Sequence, residues 1–378
     1  MFEGVLTGLV GLTTLGVVAT LVRVGRVIHR YAYHAAPVLT DLPTVSVCIP
    51  ARNEVHAMTE CLERVLASDY PKLEIIVLDD GSVDDTSVLI KSFAHAGVRF
   101  VEGRPLPSGW LGKNNALQGL LDEASGELVL FLDVDTTLRA SSVSKLVAHA
   151  AHHKVKLTSV LPQREDGLRA SVFLGTLRYF WALFFGSSTY PAMSGACWLV
   201  DREELTAMGG FSAFKASTQP VEVIARELSS NARYELVISN SQLGISYEKK
   251  WLSQVETGIR LLRPLFGNTW LATVAAMALI ALVVIPLAGL TTGLMAASMS
   301  LVVLSVLCLL LITSLSLRYY KTVWRYGWWL GAIHWPYVAL QEAILILMSI
   351  YKYSRGTVTW KGRPITSTVR SAADKLTS

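Results

Sequence analysis

Val129-Leu-Phe-Leu-Asp-Val-Asp135 is a short apolar run closed by two carboxylates one residue apart. The apolar residues belong in the middle of a sheet, with the aspartates at the strand's carboxyl end. In an open α/β sheet the crevice beyond those ends is where ligands bind. Residues i and i+2 of an extended chain point to one side. Asp133 and Asp135 would therefore repel one another unless something positive sits between them. A hard divalent cation carrying a diphosphate meets that requirement.

Upstream, strand and helix alternate. Residues 45–49 read as a strand closed by Pro50, and residues 54–66 as an amphipathic helix with Met58, Cys61, Leu62 and Val65 on one face. A second strand over 73–78, a helix over 84–96, a third strand over 98–101 and a helix over 114–123 lead into the 129–135 strand. This spacing predicts a mostly parallel sheet with helices on both faces, an α/β fold. Beyond it, a helix is expected over 143–151 and a strand over 155–160. Residues 172–185, rich in Phe, Trp, Leu and Tyr but too short to span, read as an in-plane interfacial helix or as an ordinary buried one.

Each strand exit carries polar groups. The second ends in Asp79-Asp80-Gly81-Ser82-Val83-Asp84-Asp85-Thr86, where a glycine permits the turn and Asp84 or Asp85 reads as a helix cap. A cap does not account for Asp79 and Asp80, which can accept hydrogen bonds from ribose hydroxyls and a base N–H. Pro50-Ala-Arg-Asn-Glu54 occupies the exit of the first strand. Gly109-Trp-Leu-Gly-Lys113 precedes the next helix, and Lys113 is a countercharge for a diphosphate.

The chain has 378 residues, of which 52% are hydrophobic, with the excess near the two ends. The formal net charge of +5 sits mostly beside apolar segments and points to a membrane surface rather than nucleic acid. The four cysteines have no C-x-x-C spacing, so neither a disulfide framework nor a cysteine zinc site is indicated. Residues 4–22 are long enough to span a bilayer, and Arg23, Arg26 and Arg30 then hold that end in the cytoplasm. Two further spans are expected over 269–290 and 294–317. The stretch 328–350 is interrupted by His334, Pro336, Gln341 and Glu342 and reads as kinked, re-entrant or interfacial.

The series Ile49-Pro-Ala-Arg-Asn-Glu54, Leu78-Asp-Asp-Gly-Ser-Val-Asp84, Gly109-Trp-Leu-Gly-Lys113 and Phe131-Leu-Asp-Val-Asp135 resembles glycosyltransferase family 2, nucleotide-sugar enzymes with the GT-A fold. Val358-Thr-Trp-Lys-Gly-Arg363 resembles the tail of its membrane-attached branch, which includes ceramide glucosyltransferase and carotenoid- and hopanoid-associated enzymes. The resemblance implies that Ala51 and Glu54 line the nucleoside pocket and that Asp80 contacts base or ribose. It implies Lys113 near the diphosphate, Asp133 on ribose or sugar, and Asp135 as ligand to Mg²⁺ or Mn²⁺. Ser194-Gly-Ala-Cys197 and Gly209-Gly-Phe211 match the segment that shapes the sugar and acceptor pocket.

One departure stands out. Pro220-Val221 occupies the place of the family's acidic pair, whose second member is the general base. Glu222 is the nearest carboxylate, Glu227 lies a turn further on, and no Gln-x-x-Arg-Trp follows around Trp251 to Arg260. An alcohol acceptor needs a base and a phosphate acceptor does not. Glu222 therefore acts from a shifted position, or the acceptor is a lipid phosphate, or this copy has lost activity; a solvated helix carboxylate is the plain structural alternative for Glu222.

The expectation is an integral-membrane inverting glycosyltransferase using a UDP- or GDP-linked sugar donor and a lipid acceptor at the cytoplasmic leaflet. Its parts would be an N-terminal transmembrane helix with basic flank (1–30), a GT-A domain (43–265), C-terminal membrane helices (269–351) and a basic cytoplasmic tail (352–378). The enzyme would be a multi-pass protein of the cell membrane with Asp135 and Glu222 as catalytic residues. A polyprenyl-phosphate sugar synthase and a silent nucleotide-sugar-binding membrane protein are the alternatives.

Overall fold

The computed structural model describes residues 2–165, 177–186, 191–248, 251–360 and 363–364. In chain order the elements are helix α1 (Phe2–Tyr31), strand β1 (Val45–Ala51), α2 (Val55–Leu66), β2 (Leu73–Asp79), α3 (Thr86–Ser92), β3 (Val98–Glu102), α4 (Gly112–Glu123), β4 (Leu128–Leu132) and β5 (Thr136–Leu138). Then come α5 (Ser142–His153), β6 (Leu157–Leu161), β7 (Gln163–Arg164), α6 (Arg178–Phe185), β8 (Cys197–Asp201), α7 (Arg202–Ala207), α8 (Pro220–Ser229), β9 (Tyr234–Ile238) and β10 (Ile245–Tyr247). Helices α9 (Trp251–Leu265), α10 (Thr269–Met295), α11 (Met299–Val323), α12 (Trp328–Ile333) and α13 (Trp335–Ser354) complete the order, before a two-residue strand pair at Thr359–Trp360 and Arg363–Pro364.

The elements fall into two units. Residues 31–165 and 185–248 form an α/β unit around a seven-stranded sheet of order β3-β2-β1-β4-β8-β6-β9. Strands β1 to β4 are mutually parallel, while β8 runs antiparallel to both of its neighbours. Strand β4 is central because Val129, Leu130, Phe131 and Leu132 are buried on both faces. Val47, Ile49, Val77, Leu130 and Leu132 pack against α2 and α5 residues on one face; Cys48, Ile76, Leu78, Val129 and Phe131 pack against α4 and α8 residues on the other. Continuous apolar strands of this kind are what a sheet covered on both sides requires. A second sheet, β5-β10-β7, follows the exit of β4.

Several boundaries differ from the expected ones. The helix expected over 84–96 is α3 followed by a separate 3₁₀ turn at Ala94–Ala96, closed by Gly97 at φ +91°. Helix α4 begins at Gly112, so Lys113 lies in its first turn rather than before it. Strand β4 ends at Leu132, which leaves Asp133 and Asp135 in the following turn instead of on an extended strand.

The other unit comprises residues 1–30, 166–184 and 249–378. Helices α1, α10 and α11 are long and apolar enough to cross a membrane. Gly289 and Gly293 let α10 approach its neighbours closely, since a Cβ on Gly289 would lie 2.5 Å from Ser305 Oγ and 2.7 Å from Val10 Cγ2. Small residues four apart are the usual means of close helix contact in lipid. The apolar stretch 328–350 is two helices broken at His334, with Pro336 in the first turn of the second. Of the expected helix 172–185, residues 172–176 lie outside the described residues. The remainder is α6, which packs within this unit: Phe180 meets Tyr319 edge-on at 5.6 Å and Trp181 meets Phe266 at 5.3 Å.

Candidate active site

Strands β2, β1 and β4 are adjacent and end on the same side, and the candidate residues gather at their exits. Ala51, the buried last residue of β1, is in register with Asp79, and its carbonyl accepts the Asp80 N–H at 2.8 Å. Beyond Ala51 the chain turns through Asn53 at φ +53°, a conformation that asparagine tolerates better than most residues. The Arg52 guanidinium donates to the carbonyls of Asp80 and Gly81. Asn53 N–H donates to Ser82 Oγ, Val83 N–H to Asn53 Oδ1, and Glu54 N–H to Thr86 Oγ1, each at 2.9 Å. The first two strand exits are thus laced into one rim.

That rim separates Asp79 from Asp80. Asp79 takes the hydroxyls of Ser82 and Ser87 and belongs to the turn itself. Asp80 is also buried. Between the two possible caps, Asp84 does the work: its Oδ1 accepts the Thr86 N–H at 3.1 Å and the Thr86 hydroxyl at 2.5 Å. Partial burial pushes its carboxyl up, and these hydrogen bonds outweigh that and hold it below the ordinary aspartate range.

At the β4 exit, Asp133 N–H donates to the Ala196 carbonyl (2.8 Å) and its own carbonyl accepts from Thr136 N–H (2.9 Å), closing a tight turn around the buried Val134. Lys113 Nζ lies 2.5 Å from Asp133 Oδ1, and both side chains are about 70% buried, at 28% and 29% exposure. The positive charge required beside the aspartates is therefore supplied to Asp133 by α4. Asp135 is half-buried, and its carbonyl accepts the N–H of Glu248 at 3.2 Å because β10 pairs with β5 at Tyr247 and Thr136. Glu248 was not singled out from sequence; nothing short of that pairing brings it beside Asp135.

The segment leading to Glu222 is fixed from α4. Gly209 and Gly210 adopt φ +86° and +58°, and the turn drives Phe211 under the sheet, edge-on to Phe131 at 5.4 Å. Phe211 N–H donates to Gln118 Oε1 at 2.7 Å. The buried Asn114 side-chain amide faces the carbonyls of Phe214, Lys215 and Ser217 at 3.0, 3.1 and 2.8 Å. Asn114 and Gln118 were missed in the sequence; their signal was two amides at i, i+4 on a helix that is otherwise buried. Helix α8 then starts at Pro220, with Glu222 in its first turn and Arg226 Nη2 at 3.0 Å from Glu222 Oε1. Burial raises the Glu222 carboxyl above its ordinary value, and Arg226 offsets part of that rise. Glu227 is on the same helix, and Ser194, ahead of β8, is held on both sides of its peptide by Ser159 Oγ at 2.8 Å. Burial pushes the thiols of Cys48, Cys61 and Cys197 up, which keeps them protonated and unreactive.

Residues 46–205, the part of the chain that builds this crevice, match the family model described as Glycosyl transferase family 2. The chain carries a glycosyltransferase family 2 domain. An N-acetylglucosaminyltransferase of Rhizobium leguminosarum bv. viciae is 29% identical over 201 residues, 51% of this chain and 42% of that one. A GalNAc(5)-diNAcBac-PP-undecaprenol beta-1,3-glucosyltransferase of Campylobacter jejuni is 33% identical over 112 residues, 29% of this chain and 35% of that one. The chain therefore spans less than half the length of these relatives. Among solved structures, the mannosyltransferase PcManGT from Pyrobaculum calidifontis in complex with GDP-Man and Mn²⁺ aligns with a TM-score of 0.54 and 17% identity, covering 93% of this chain and 98% of that one. At that identity the likeness is one of fold, and the fold is GT-A.

Proposed function

We propose that the chain is a membrane-attached, inverting glycosyltransferase that moves a sugar from a UDP- or GDP-linked donor to a lipid acceptor at the cytoplasmic leaflet. The observation that carries this reading is the gathering of Ala51, Asp80, Asp133 and Asp135 at three adjacent strand exits, with Lys113 ion-paired to Asp133. Three apolar helices and the undecaprenol-linked substrate named for the Campylobacter relative support the lipid. The reading takes residues 43–265 as the transferase domain and residues 1–30, 269–351 and 352–378 as its membrane and tail segments.

Ala51, Glu54 and Asp80 hold the nucleoside. Lys113 neutralises Asp133, which faces ribose or sugar, and Asp135 is then the carboxylate assigned to a hard cation. The donor set fits, because Mg²⁺ sites commonly use one or two carboxylates together with substrate phosphates. Bound there, Mg²⁺ or Mn²⁺ would supply positive charge to the departing nucleoside diphosphate. Glu222 takes the proton from an acceptor hydroxyl as its oxygen attacks the anomeric carbon and the bond to the diphosphate breaks. Its raised carboxyl makes it a stronger base than an ordinary glutamate.

Purified full-length protein should release nucleoside diphosphate from a sugar nucleotide only with Mg²⁺ or Mn²⁺, and Asp135→Ala should abolish the release. Full activity of Asp135→Ala, or in chelator, overturns the metal role. Mass spectrometry of lipid extracts from cells with and without the gene then reports sugar and lipid class together. The Pro220-Val221 departure supports a second reading, a lipid-phosphate acceptor that needs no base. Under that reading Glu222→Gln keeps its turnover.

A further inference from the structure

One cluster of side chains takes no part in the chemistry above. His149 and His153 stand one turn apart at the C-terminal end of α5, and Glu235 meets them from β9. Glu235 Oε2 lies 3.1 Å from His149 Nε2 and 3.4 Å from His153 Nδ1. The two imidazoles stack with centroids 4.3 Å apart, and one ligand atom from each of the three residues falls within 4.8 Å of the others. Among the described residues this is the group of three metal-ligating side chains placed so closely.

We propose that His149, His153 and Glu235 form a second metal site, for an ion of the zinc class, separate from the sugar-nucleotide crevice. Two histidines at i, i+4 present both rings on one helix face, the spacing by which helices chelate zinc. Zinc binds imidazole nitrogen and carboxylate oxygen at about 2.0–2.2 Å, so neighbouring ligand atoms of a tetrahedron are about 3.3–3.5 Å apart. The 3.1 and 3.4 Å separations already approach that edge, both to a single oxygen. Imidazole donors also select zinc, cobalt or nickel over magnesium. Three protein ligands leave a fourth position for water.

The location gives the ion a structural task. Tyr33 packs on His149 with centroids 5.6 Å apart, and Tyr33 N–H donates to the Ile238 carbonyl at 3.1 Å on the same strand as Glu235. An ion here would fasten the end of α5, the edge strand β9 and the segment at residues 32–33 into one block. His149 Nδ1 is buried and has no hydrogen-bond partner among the described residues. Metal-bound histidines ordinarily give that N–H to an acceptor, and losing such a partner weakens binding about 10–100-fold. The site should therefore be of moderate affinity.

The test is a Co²⁺ titration of the full-length protein in detergent with Mg²⁺ in large excess to occupy carboxylate sites. One saturable equivalent with the strong visible absorption of four-coordinate cobalt, displaced by Zn²⁺, is expected. His153→Ala and Glu235→Gln should each weaken it about tenfold or more. His153 is at the helix end with 41% of its side chain exposed, so its removal should leave the fold intact, and an unchanged far-UV spectrum checks this. Should His153→Ala fail to fold, His153→Gln serves in its place. No saturable Co²⁺ in the wild type, or undiminished binding in the folded His153 variant, overturns the proposal.

Discussion

Lys113 Nζ sits 2.5 Å from Asp133 Oδ1, tying the first turn of α4 to the exit of β4. The pair means that the crevice contains one neutralised aspartate and a second carboxylate two residues on, rather than two equivalent carboxylates. In the proposed reading, the distinction separates the aspartate that Lys113 neutralises from the one assigned to a cation.

Lys113→Ala leaves Asp133 as an uncompensated negative charge facing an anionic ligand. Sugar-nucleotide affinity is expected to fall about tenfold or more, since a charge-assisted hydrogen bond is worth ~1.5–3 kcal/mol. Adding Asp133→Asn should restore part of the loss, because the repulsion goes with the charge. Calorimetric titration of donor into the two variants checks this. Both side chains keep more than a quarter of their surface, so the change in unfolding stability should stay below about 1 kcal/mol. A Lys113→Ala protein that binds donor like the wild type would remove Lys113 from the site.

Asn114 is expected to matter more for order than for binding. Its side-chain amide holds the carbonyls of Phe214, Lys215 and Ser217, the stretch that delivers Glu222 to the start of α8. Asn114→Ala removes this donor, while the Phe214 and Lys215 carbonyls keep the N–H groups of Ser217 and Leu111, so the cost is that of a lost hydrogen bond, about 0.5–1.5 kcal/mol. Thermal unfolding should report that loss, and turnover should fall further than donor binding. Wild-type stability in Asn114→Ala would show that water replaces the amide at no cost.

The sheet was legible because β1, β2 and β4 bury both faces, so nearly every residue in them is apolar and each run ends in a marked turn. The positions of Asp80 and Asp135 just past strand exits were legible because each follows an apolar run that ends in a turn. What could not be read was local competition: nothing in Asp79-Asp80 says that Ser82 and Ser87 occupy the first member. The start of α4 was misjudged because two glycines obscure a helix end, and the turn at Asp133 because its bonds reach the distant Ala196. Glu235 lies 82 residues beyond His153, and the pairing of β9 with β6, the strand that follows α5, brings it near them.

Gly103 backs the Asp79–Asp80 rim so closely that an added Cβ would lie 2.6 Å from the Asp79 carbonyl oxygen and 3.0 Å from the Asp80 Cα. Both contacts are backbone and cannot swing away. Gly103→Ala should therefore destabilise the fold by about 1–3 kcal/mol, as overpacking does. Donor affinity should drop in parallel, since Asp80 moves with its backbone. Melting temperature and donor titration on one preparation separate the two effects; neither changing would mean that the β3 end relaxes outward.

Glu222 connects stability to pH in a direction opposite to most carboxylates. Burial is the main cause of its raised value, and Arg226 pulls it partly back. The folded state thus holds this proton at higher pH than the unfolded chain, so the native state binds more protons between the ordinary glutamate value and the raised one. Stability from this group is present below that window and falls as pH rises through it. Glu222→Gln should flatten that fall in a pH series of denaturant titrations. In the hydroxyl-acceptor reading the same substitution lowers turnover about 10²–10⁴-fold with donor binding retained, and the wild-type rate rises with pH through the same window as the base ionises. Arg226→Ala removes the offsetting charge and should move both the stability fall and the rising limb to higher pH. A rate profile that does not shift in Arg226→Ala, alongside a stability profile that does, would separate Glu222 from proton transfer and leave it a buried structural carboxylate.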